Sequence, residues 1–380
     1  MNNSKVSVIS IGYGEQLFID GNPERLRMEA CARVTKGYHM VVFVRAKQLK
    51  TVSHSSGLNL YPVIAKLSVL KLFKAIILVR SLINTLDGDL IVTTQDPFES
   101  GLVGWWATRF SRAKLNVQEH GDVFSTNFWK FEKLGNTFRF RLGLFILRRA
   151  DSVRVVSKRI SNTLVGYGIL NHKIKNLAVM TDPTPFISVR PKPEVREMFP
   201  PNSFIFLTGG RFVSQKNLAM LLNSFYQAQK NAPQARLVLI GTGPDTKKIA
   251  EIIKSNQVDS EETLVKILPW TDDVPGFMAS VDAYVLSSNY EGWGRVLIEA
   301  LYANLPIVTT DVGCVGEVIL DQEHALVVPI NNETALTVAL VELSTNPIKY
   351  QHIKNKMLSQ SVPNNASYDS YANDWISTLR

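Results

Sequence analysis

The feature that most restricts the fold of this chain is a repeated succession of one short apolar strand and one helix. Six segments of the first half have the composition of buried strands, and helical periodicity separates most of them. The succession restarts near residue 203 with six more strands. This alternation predicts α/β architecture with parallel, doubly wound sheets. The predicted strands are 5–12, 38–45, 89–95, 114–120, 152–157, 174–180, 203–210, 236–241, 264–268, 282–288, 306–311 and 325–329.

A proline-rich segment separates the two series of strands. Residues 183–201 contain six prolines, which favour a hinge between two Rossmann-like domains. We therefore expect an N-terminal domain over residues 1–185 and a C-terminal domain over residues 200–365. After about residue 333 the pattern is helical, and we expect the helix at 366–380 to pack back onto the first domain.

The net charge of +9 is distributed unevenly along the chain. Residues 1–190 carry 27 lysines and arginines against 13 carboxylates, whereas residues 191–380 carry 15 against 20. An excess of this kind in the first half favours an anionic partner, such as a membrane surface, a phosphorylated lipid or nucleic acid. A general surface excess that keeps the protein in solution would give the same pattern.

Two basic and apolar segments of the first half, residues 64–82 and 138–150, have helical spacing. They predict either ordinary core-facing helices or helices that rest on anionic lipid. No apolar run approaches the ~18 residues of a membrane span, and residues 6–11 are too short for a signal-peptide core. The two cysteines, Cys31 and Cys314, lie in different halves and favour a reducing, cytoplasmic location.

The segment 287–313 places two glutamates eight positions apart around a Gly-Trp-Gly turn. It is predicted to fold as a strand end, a glycine loop and a helix, with Glu291 in the loop and Glu299 on the helix. The two carboxylates could then contact opposite ends of one elongated ligand, and backbone N–H groups at Gly294 and Arg295 would favour an anion there. The alternative is a solvated loop glutamate followed by an unrelated glutamate on the helix face.

Other loops of the second half also follow predicted strands, at the edge where open α/β sheets bind ligands. Residues 209–217 place Gly210, Arg211 and Lys216 at a strand end, where the two cations could hold a diphosphate. Residues 241–244 form a glycine turn. Residues 269–273, with Thr271 and Asp273, could contact a nucleobase through backbone groups. Together these loops predict one ligand site.

The second half of the chain resembles the retaining nucleotide-sugar glycosyltransferases of family 4. Their GT-B fold has two Rossmann-like domains facing across a cleft. The resemblance runs from Gly209 to about Pro329 and rests on "GGRFVSQKN", "LVLIGTGP" and "NYEGWGRVLIEALYANLPIVTTDVG", in the family's order. It implies sugar transfer from a nucleotide-diphosphate sugar, as co-substrate, to a saccharide or lipid-linked saccharide in polysaccharide or glycolipid biosynthesis. It implies neither a metal nor another cofactor.

The resemblance also implies roles for individual residues. Glu291 would contact the transferred sugar, Glu299 would bind the ribose, and Arg211 and Lys216 would stabilise the leaving diphosphate. The N–H groups of the turn formed by Gly292, Trp293 and Gly294 would help them. In the first half, "VQEHGDVF" looks like the family segment whose histidine faces the donor sugar, which makes His120 a predicted catalytic residue. The acceptor-side loop has Gly12, Tyr13 and Gly14 in place of the usual glycine pair.

Several alternatives remain open from the sequence. His120 could be a buried structural histidine. The protein could be another GT-B-like enzyme of sugar nucleotides, an epimerase or phosphorylase, or a non-catalytic basic binding protein. We expect no nucleic-acid partner, because no nucleic-acid-binding module is evident in the first half. The Asp-Gly-Asp run at 87–89 is not expected to hold a metal, because it precedes a predicted strand instead of following one.

Overall fold

The computed structural model describes residues 6–46, 48–65, 67–256, 263–359 and 367–379. The chain divides into two compact units. The first unit comprises Met1–Met180 and Asn365–Arg380, and the second comprises Thr181–Asn364.

In the first unit, the described residues form one sheet of eight strands in the order β3-β4-β2-β1-β5-β6-β7-β8. All neighbours in it are parallel except β3, which runs antiparallel to β4. The elements are β1 (Ser7–Tyr13), α1 (Pro23–Arg33), β2 (Gly37–Phe43), β3 (Val52–Ser53), β4 (Leu58–Val63), α2 (Ser68–Thr85), β5 (Leu90–Thr94), α3 (Glu99–Thr108), β6 (Lys114–Glu119), α4 (Asn127–Glu132), α5 (Asn136–Arg149), β7 (Ser152–Val155), α6 (Lys158–Gly166) and β8 (Ile174–Asn176).

The second unit has a wholly parallel sheet. Six strands of its described part lie in the order β11-β10-β9-β12-β13-β14. The elements are α7 (Pro193–Glu197), β9 (Phe204–Gly209), α8 (Leu218–Ala228), β10 (Ala235–Ile240), α9 (Thr246–Asn256), β11 (Val265–Leu268), α10 (Val274–Met278), β12 (Ala283–Leu286), α11 (Arg295–Tyr302), β13 (Ile307–Thr310), β14 (Ala325–Val328), α12 (Glu333–Thr345) and α13 (Pro347–Ser359).

The prediction of two parallel α/β domains is confirmed. The central strands of both sheets are buried on both faces, as parallel sheets covered by helices require. The proline-rich segment lies in the second unit, where Arg196 of α7 pairs with Asp282 at 2.6 Å. The Asp87–Asp89 run precedes β5, so its two carboxylates lie at the amino end of that strand.

Two strands, β3 and β4, were missing from the sequence prediction. The sequence of β4, "LNLYPV", includes Pro62, and a proline inside a run argues against a strand because it has no N–H to donate. In the structure, β3 pairs only with Asn59 and Leu60 of β4. Pro62 therefore lies beyond the residues that pair with β3.

The last described helix, α14 (Tyr368–Thr378), follows the second unit in the chain but packs on α1 of the first. Its Trp375 lies against Tyr38, with 5.2 Å between the ring centroids. The carbonyl oxygen of Leu379, just after the helix, accepts a hydrogen bond from Ser152 Oγ at 3.0 Å. Residues at the end of the described chain thus complete the core of the first unit.

Candidate functional site

A cavity of about 480 Å³ lies in the second unit, beside the carboxyl ends of β9 and β10 and the first turns of α11. Ligands bind at this edge in open parallel sheets. Seven of the residues proposed from the sequence line it together: Gly210, Arg211, Lys216, Glu291, Gly294, Arg295 and Glu299. The structure therefore gathers residues from two distant segments into one site.

Glycines allow two loops of this site to approach closely. Gly241, at the end of β10, has φ +142, and a Cβ added there would overlap the carbonyl oxygen of Gly210. The two loops are hydrogen-bonded to each other: Phe212 N–H donates to the Thr242 carbonyl at 3.0 Å. Only a residue without a side chain fits this backbone angle and this distance. The "GGR" loop is therefore fixed against the glycine turn.

Glu291 and Lys216, 75 residues apart, form an ion pair inside the cavity. Lys216 Nζ donates to Glu291 Oε1 at 2.7 Å, and the two side chains are only 20% and 12% exposed. Ser288 Oγ donates to the same oxygen at 2.8 Å. Oε1 is thus held by two donors, which fixes the carboxylate and leaves Oε2 as the oxygen available to a ligand.

Two further features make the same cavity attractive to anions. Arg211 is exposed and lines the cavity, and none of the described carboxylates pairs with it. The N-cap residue before α11 is Gly294, which has φ +75 and offers no side chain to cap the first N–H groups of the helix. Uncapped N–H groups and the positive end of the helix dipole favour an anion at this position.

Glu299 lies one turn along α11 from these N–H groups. Its Oε1 accepts a hydrogen bond from Arg295 Nε at 3.0 Å. The Glu299 side chain is 17% exposed, whereas that of Arg295 is 61% exposed. Glu299 is therefore an oriented carboxylate that can accept hydrogen bonds from ligand hydroxyl groups.

The cavity is also lined by two aromatic residues that the sequence prediction did not select, Trp270 and Tyr284. Trp270 is 57% exposed and follows β11, where its ring offers a flat apolar surface. Tyr284 of β12 is buried, and its hydroxyl binds both the N–H and the carbonyl of Gly209, at 3.0 and 3.2 Å. Burial, with smaller contributions from Glu299 and Glu291, raises the pKa of Tyr284. The signal that could have identified Trp270 was an aromatic side chain in "PWTDD", a loop that directly follows a predicted strand.

Four predicted donor-binding residues do not line this cavity: Thr271, Asp273, Gly292 and Trp293. Asp273 caps α10 by accepting Gly276 N–H at 3.1 Å, and it pairs with Lys192 at 2.8 Å. The hydrogen bond from Lys192 lowers the pKa of Asp273. Thr271 Oγ1 accepts Asp273 N–H, so these two residues shape the loop that carries Trp270.

His120 belongs to the first unit, directly after β6. Its Nε2 lies 2.7 Å from Gln118 Oε1, which also accepts a hydrogen bond from Arg154 at 2.8 Å. Because Gln118 Oε1 is an acceptor, we assign the ring proton to Nε2. Desolvation by the surrounding protein is the main cause that lowers the pKa of His120, and the charges of Arg154 and Arg27 lower it further. Part of the residue is nevertheless exposed to solvent. The imidazole is therefore neutral at pH 7.

The predicted acceptor-side loop lies at the carboxyl end of β1 in the first unit, with Gly12 and Tyr13 still in the strand and Gly14 just after it. Tyr13 N–H donates to Gln95 Oε1 at 2.9 Å, and a Cβ at Gly12 would overlap that glutamine side chain. Gly14 has φ +134, a backbone conformation that side chains rarely adopt. Steric constraints therefore favour glycine at both positions, Gly12 and Gly14. Tyr13 between them is half exposed.

In the part of the chain that the structure describes, no three His, Cys, Asp or Glu side chains group closely enough to bind a metal ion.

Comparison with known proteins finds a family match for the second unit and a similar fold for the whole chain. Residues 190–359, less than half of the chain, match the family model for glycosyl transferases group 1. The structure is similar over 98% of its length to that of HepE from Anabaena in complex with UDP. The TM-score is 0.71 at 16% identity, and 99% of that chain is covered. The fold is thus the GT-B fold of glycosyltransferases.

Two curated relatives match parts of the chain. An alpha-maltose-1-phosphate synthase of Mycolicibacterium smegmatis is 30% identical over 218 residues, which are 53% of this chain and 54% of the relative. A lipopolysaccharide core biosynthesis glycosyltransferase of Rhizobium meliloti, LpsD, is 26% identical over 165 residues, or 43% and 46% of the two chains. The chain spans only about a quarter to a half of the length of the first curated relatives that it matches.

Proposed function

We propose that this protein is a retaining glycosyltransferase of family 4 that moves a sugar from a nucleotide-diphosphate sugar to a saccharide or lipid-linked saccharide. One observation carries the proposal. A single cavity combines an unpaired arginine and a helix N-terminus with two oriented carboxylates, Glu291 and Glu299. The match to glycosyl transferases group 1 supports sugar transfer, and the UDP complex of HepE supports a nucleotide donor. The lipopolysaccharide relative supports a saccharide acceptor.

The charges of the cavity suggest how the donor lies. The diphosphate binds at Arg211 and the N–H groups at the start of α11, where charge that develops on the leaving group is stabilised. Glu299 accepts hydrogen bonds from the ribose hydroxyls, and the exposed ring of Trp270 supports the base. Glu291 then faces the transferred sugar through Oε2, because Lys216 and Ser288 occupy Oε1.

Retention follows in this proposal without a covalent bond to the enzyme. The leaving phosphate shields one face of the sugar and accepts the proton of the attacking hydroxyl on that same face. Glu291 orients the sugar and stabilises positive charge on its ring. Lys216 holds the carboxylate in place and adds positive charge near the leaving group. No metal is needed in this scheme, because Arg211, Lys216 and the helix end supply the positive charge.

His120 and the loop at Gly12, Tyr13 and Gly14 remain predictions from the family resemblance. A neutral imidazole that is protonated on Nε2 keeps Nδ1 free as an acceptor, which suits a contact with a sugar hydroxyl. We place these residues on the sugar and acceptor side of the reaction. They belong to the first unit, whereas the residues for the nucleotide belong to the second.

We further propose that the protein works at the cytoplasmic face of a membrane. No helix in the described ranges is long and apolar enough to cross a bilayer. Within the first unit, α2 packs on α3, and α3 and α4 pack on α5. Around these helices lie large apolar side chains that are 60–102% exposed, here called the apolar-basic surface: Phe73, Ile77, Phe110, Phe131, Leu134 and Phe138. The ammonium of Lys130 lies 5.2 Å from the Phe131 ring, which brings positive charge to this surface.

Calorimetry with UDP, GDP and ADP tests the donor site on the full chain. Arg211→Gln is expected to weaken binding of the preferred diphosphate about tenfold or more, since a hydrogen bond to a charged group is lost. Its Tm without ligand should stay unchanged, because Arg211 has no partner among the described residues. Lys230→Gln, an exposed lysine just after α8, is the control and should bind as the wild type.

Turnover separates binding from chemistry in the same assay. Glu291→Gln keeps an oxygen for Lys216 and Ser288 but loses the charge, so nucleotide affinity should persist while transfer slows strongly. Full turnover in Glu291→Gln, or wild-type diphosphate affinity in Arg211→Gln, would overturn the assignment of the site.

A further inference from the structure

A second cavity, of about 80 Å³, lies inside the first unit. Its lining includes residues of the strands β1, β6 and β7 and of the helices α1 and α14. Its polar lining includes two arginines, Arg27 and Arg154, together with Gln118, His120 and Tyr371. No aspartate or glutamate of the described residues lines it. The cavity is therefore a cationic pocket without an acidic partner.

Arg27 has no partner in the described structure. It projects from α1 into the cavity, makes no hydrogen bond or ion pair with another described residue, and its Nε is buried. Arg27 itself is partly exposed, but its Nε is removed from water without a partner, and a charged group that loses hydration in this way is favoured by a nearby counter-ion. Such a group therefore favours an anion within its reach.

Arg154 supplies a second guanidinium that is already held in place. It is 3% exposed and donates to Gln118 Oε1 at 2.8 Å and to the Tyr371 hydroxyl at 2.7 Å. Its Nε is also buried without a partner. Because Tyr371 accepts from Arg154, its own hydroxyl proton is free to be donated to a ligand. His120 lines the same pocket, and desolvation first, and then the charges of Arg154 and Arg27, lower its pKa.

We propose that this pocket binds a phosphate or carboxylate group between Arg27 and Arg154, with the Tyr371 hydroxyl as a further donor. A single water needs on the order of 10–15 Å³ of such a cavity, so 80 Å³ admits a small oxyanion. Guanidinium groups suit this ligand because their N–H groups match its oxygens in pairs. If the protein transfers sugars as proposed above, the oxyanion belongs to the acceptor, which is then an acidic or phosphorylated saccharide.

Calorimetry on the full chain tests the pocket with four probes: inorganic phosphate, a hexose 6-phosphate, a hexuronate and the neutral hexose, each in sodium chloride of equal ionic strength. We expect the anions to bind and the neutral hexose not to bind. Tighter binding of a sugar anion than of inorganic phosphate supports an acceptor. Equal binding overturns the acceptor assignment and leaves a site for free anions, and absence of anion binding overturns the pocket itself.

Arg27→Met gives the sharper test. Because Arg27 has no partner among the described residues, its loss should leave the Tm unchanged or raise it, while anion binding weakens about tenfold or more. The control is Arg33→Met on the same helix, since Arg33 is 52% exposed and pairs with Asp369; it should bind anions as the wild type. Wild-type anion affinity in Arg27→Met would overturn the proposal.

UDP titrated into Arg27→Met keeps the two proposals separate. The nucleotide cavity lies in the other unit, so UDP affinity should be unaffected by this change. If the wild type binds anions in the pocket but no nucleoside diphosphate, the proposed function fails and the anion pocket stands.

Discussion

At the scale of single residues, Glu119 shows how burial controls a charge in the first unit. This carboxyl group at the end of β6 is 2% exposed and accepts the Gly121 N–H at 2.8 Å. Burial above all, with the nearby charges of Asp122 and Asp96, raises the pKa of Glu119 to about 8. The group is therefore largely protonated in the folded protein at neutral pH, unlike in the unfolded chain.

This difference makes stability depend on pH. Because the folded pKa lies above the unfolded value, the stabilisation is complete below about pH 4.5 and is lost as pH rises towards about 8, by a few kcal/mol overall. We expect the Tm of the wild type to fall between about pH 5 and pH 8, and Glu119→Gln to remove a large part of that fall. Thermal unfolding of both proteins across this range measures the effect.

Glu251→Gln is the control for Glu119→Gln. Glu251, an exposed glutamate on α9, should keep the wild-type pH profile when changed to Gln. Parallel profiles for the wild type and Glu119→Gln would show that Glu119 ionises at the same pH in the folded and unfolded protein.

Sequence patterns identified most residues of the candidate site but not their contacts. Arg211, Lys216 and Glu291 were selected in loops after predicted strands, and Glu299 was selected on the following helix for its spacing from Glu291. All four line the cavity. The ion pair between Lys216 and Glu291 could not be predicted, because it joins side chains of different loops. Asp273 was selected from its place after a predicted strand, and its contacts were likewise not predictable: it caps α10 and pairs with Lys192.

At the scale of elements, the loops after β9 and β10 determine the shape of the nucleotide cavity. Gly241→Ala would place a methyl group against the Gly210 carbonyl at a backbone angle that favours glycine. We expect a loss of about 2 kcal/mol or more in the free energy of unfolding, measured by denaturant unfolding. Nucleotide affinity should fall in the molecules that still fold, because the "GGR" loop is displaced.

Gly166→Ala is the matched control for Gly241→Ala. Gly166 ends α6, and nothing lies within 4 Å of a Cβ added there. Alanine should be tolerated or stabilising at that position, because it is the better helix former. If Gly166→Ala lost as much stability as Gly241→Ala, the loss would be due to replacing glycine in general and not to the contact with Gly210.

Elements were predictable where periodicity was clear. All twelve segments proposed as strands overlap strands of the structure, and the basic segments 64–82 and 138–150 overlap the helices α2 and α5. Strands β3 and β4 were missed because β3 is two residues long and Pro62 interrupts β4. Hydrophobic patterns report burial, and they lose this information where an element is short or lies at a sheet edge.

At the scale of the whole molecule, the charge and the apolar-basic surface of the first unit predict binding to anionic vesicles. Each basic residue near such a surface adds ~1 kcal/mol, and salt screens it over ~10 Å at 0.1 M. Sedimentation should show binding to anionic but not to neutral vesicles, with less binding as salt rises. Phe73→Ser with Ile77→Ser should weaken it, because both side chains on α2 are at least 60% exposed.

The vesicle experiment has its control in the second unit. Ile348 on α13 is 83% exposed, and Ile348→Ser should leave vesicle binding unchanged. The role of the lysines is tested by changing Lys66, Lys71 and Lys74 to Gln, where Lys66 lies outside the described residues. Equal, salt-insensitive binding to both vesicle types would rule out an electrostatic membrane contact.

The return of α14 to the first unit has a consequence for synthesis on the ribosome. The first unit is made first, yet Tyr38 and Ser152 contact Trp375 and Leu379, which emerge only after the whole second unit. Domains made early usually fold while the rest is being translated. Here the nascent first unit must wait with part of its apolar core uncovered, and with the pocket at Arg27 open on one side, until translation has passed residue 379.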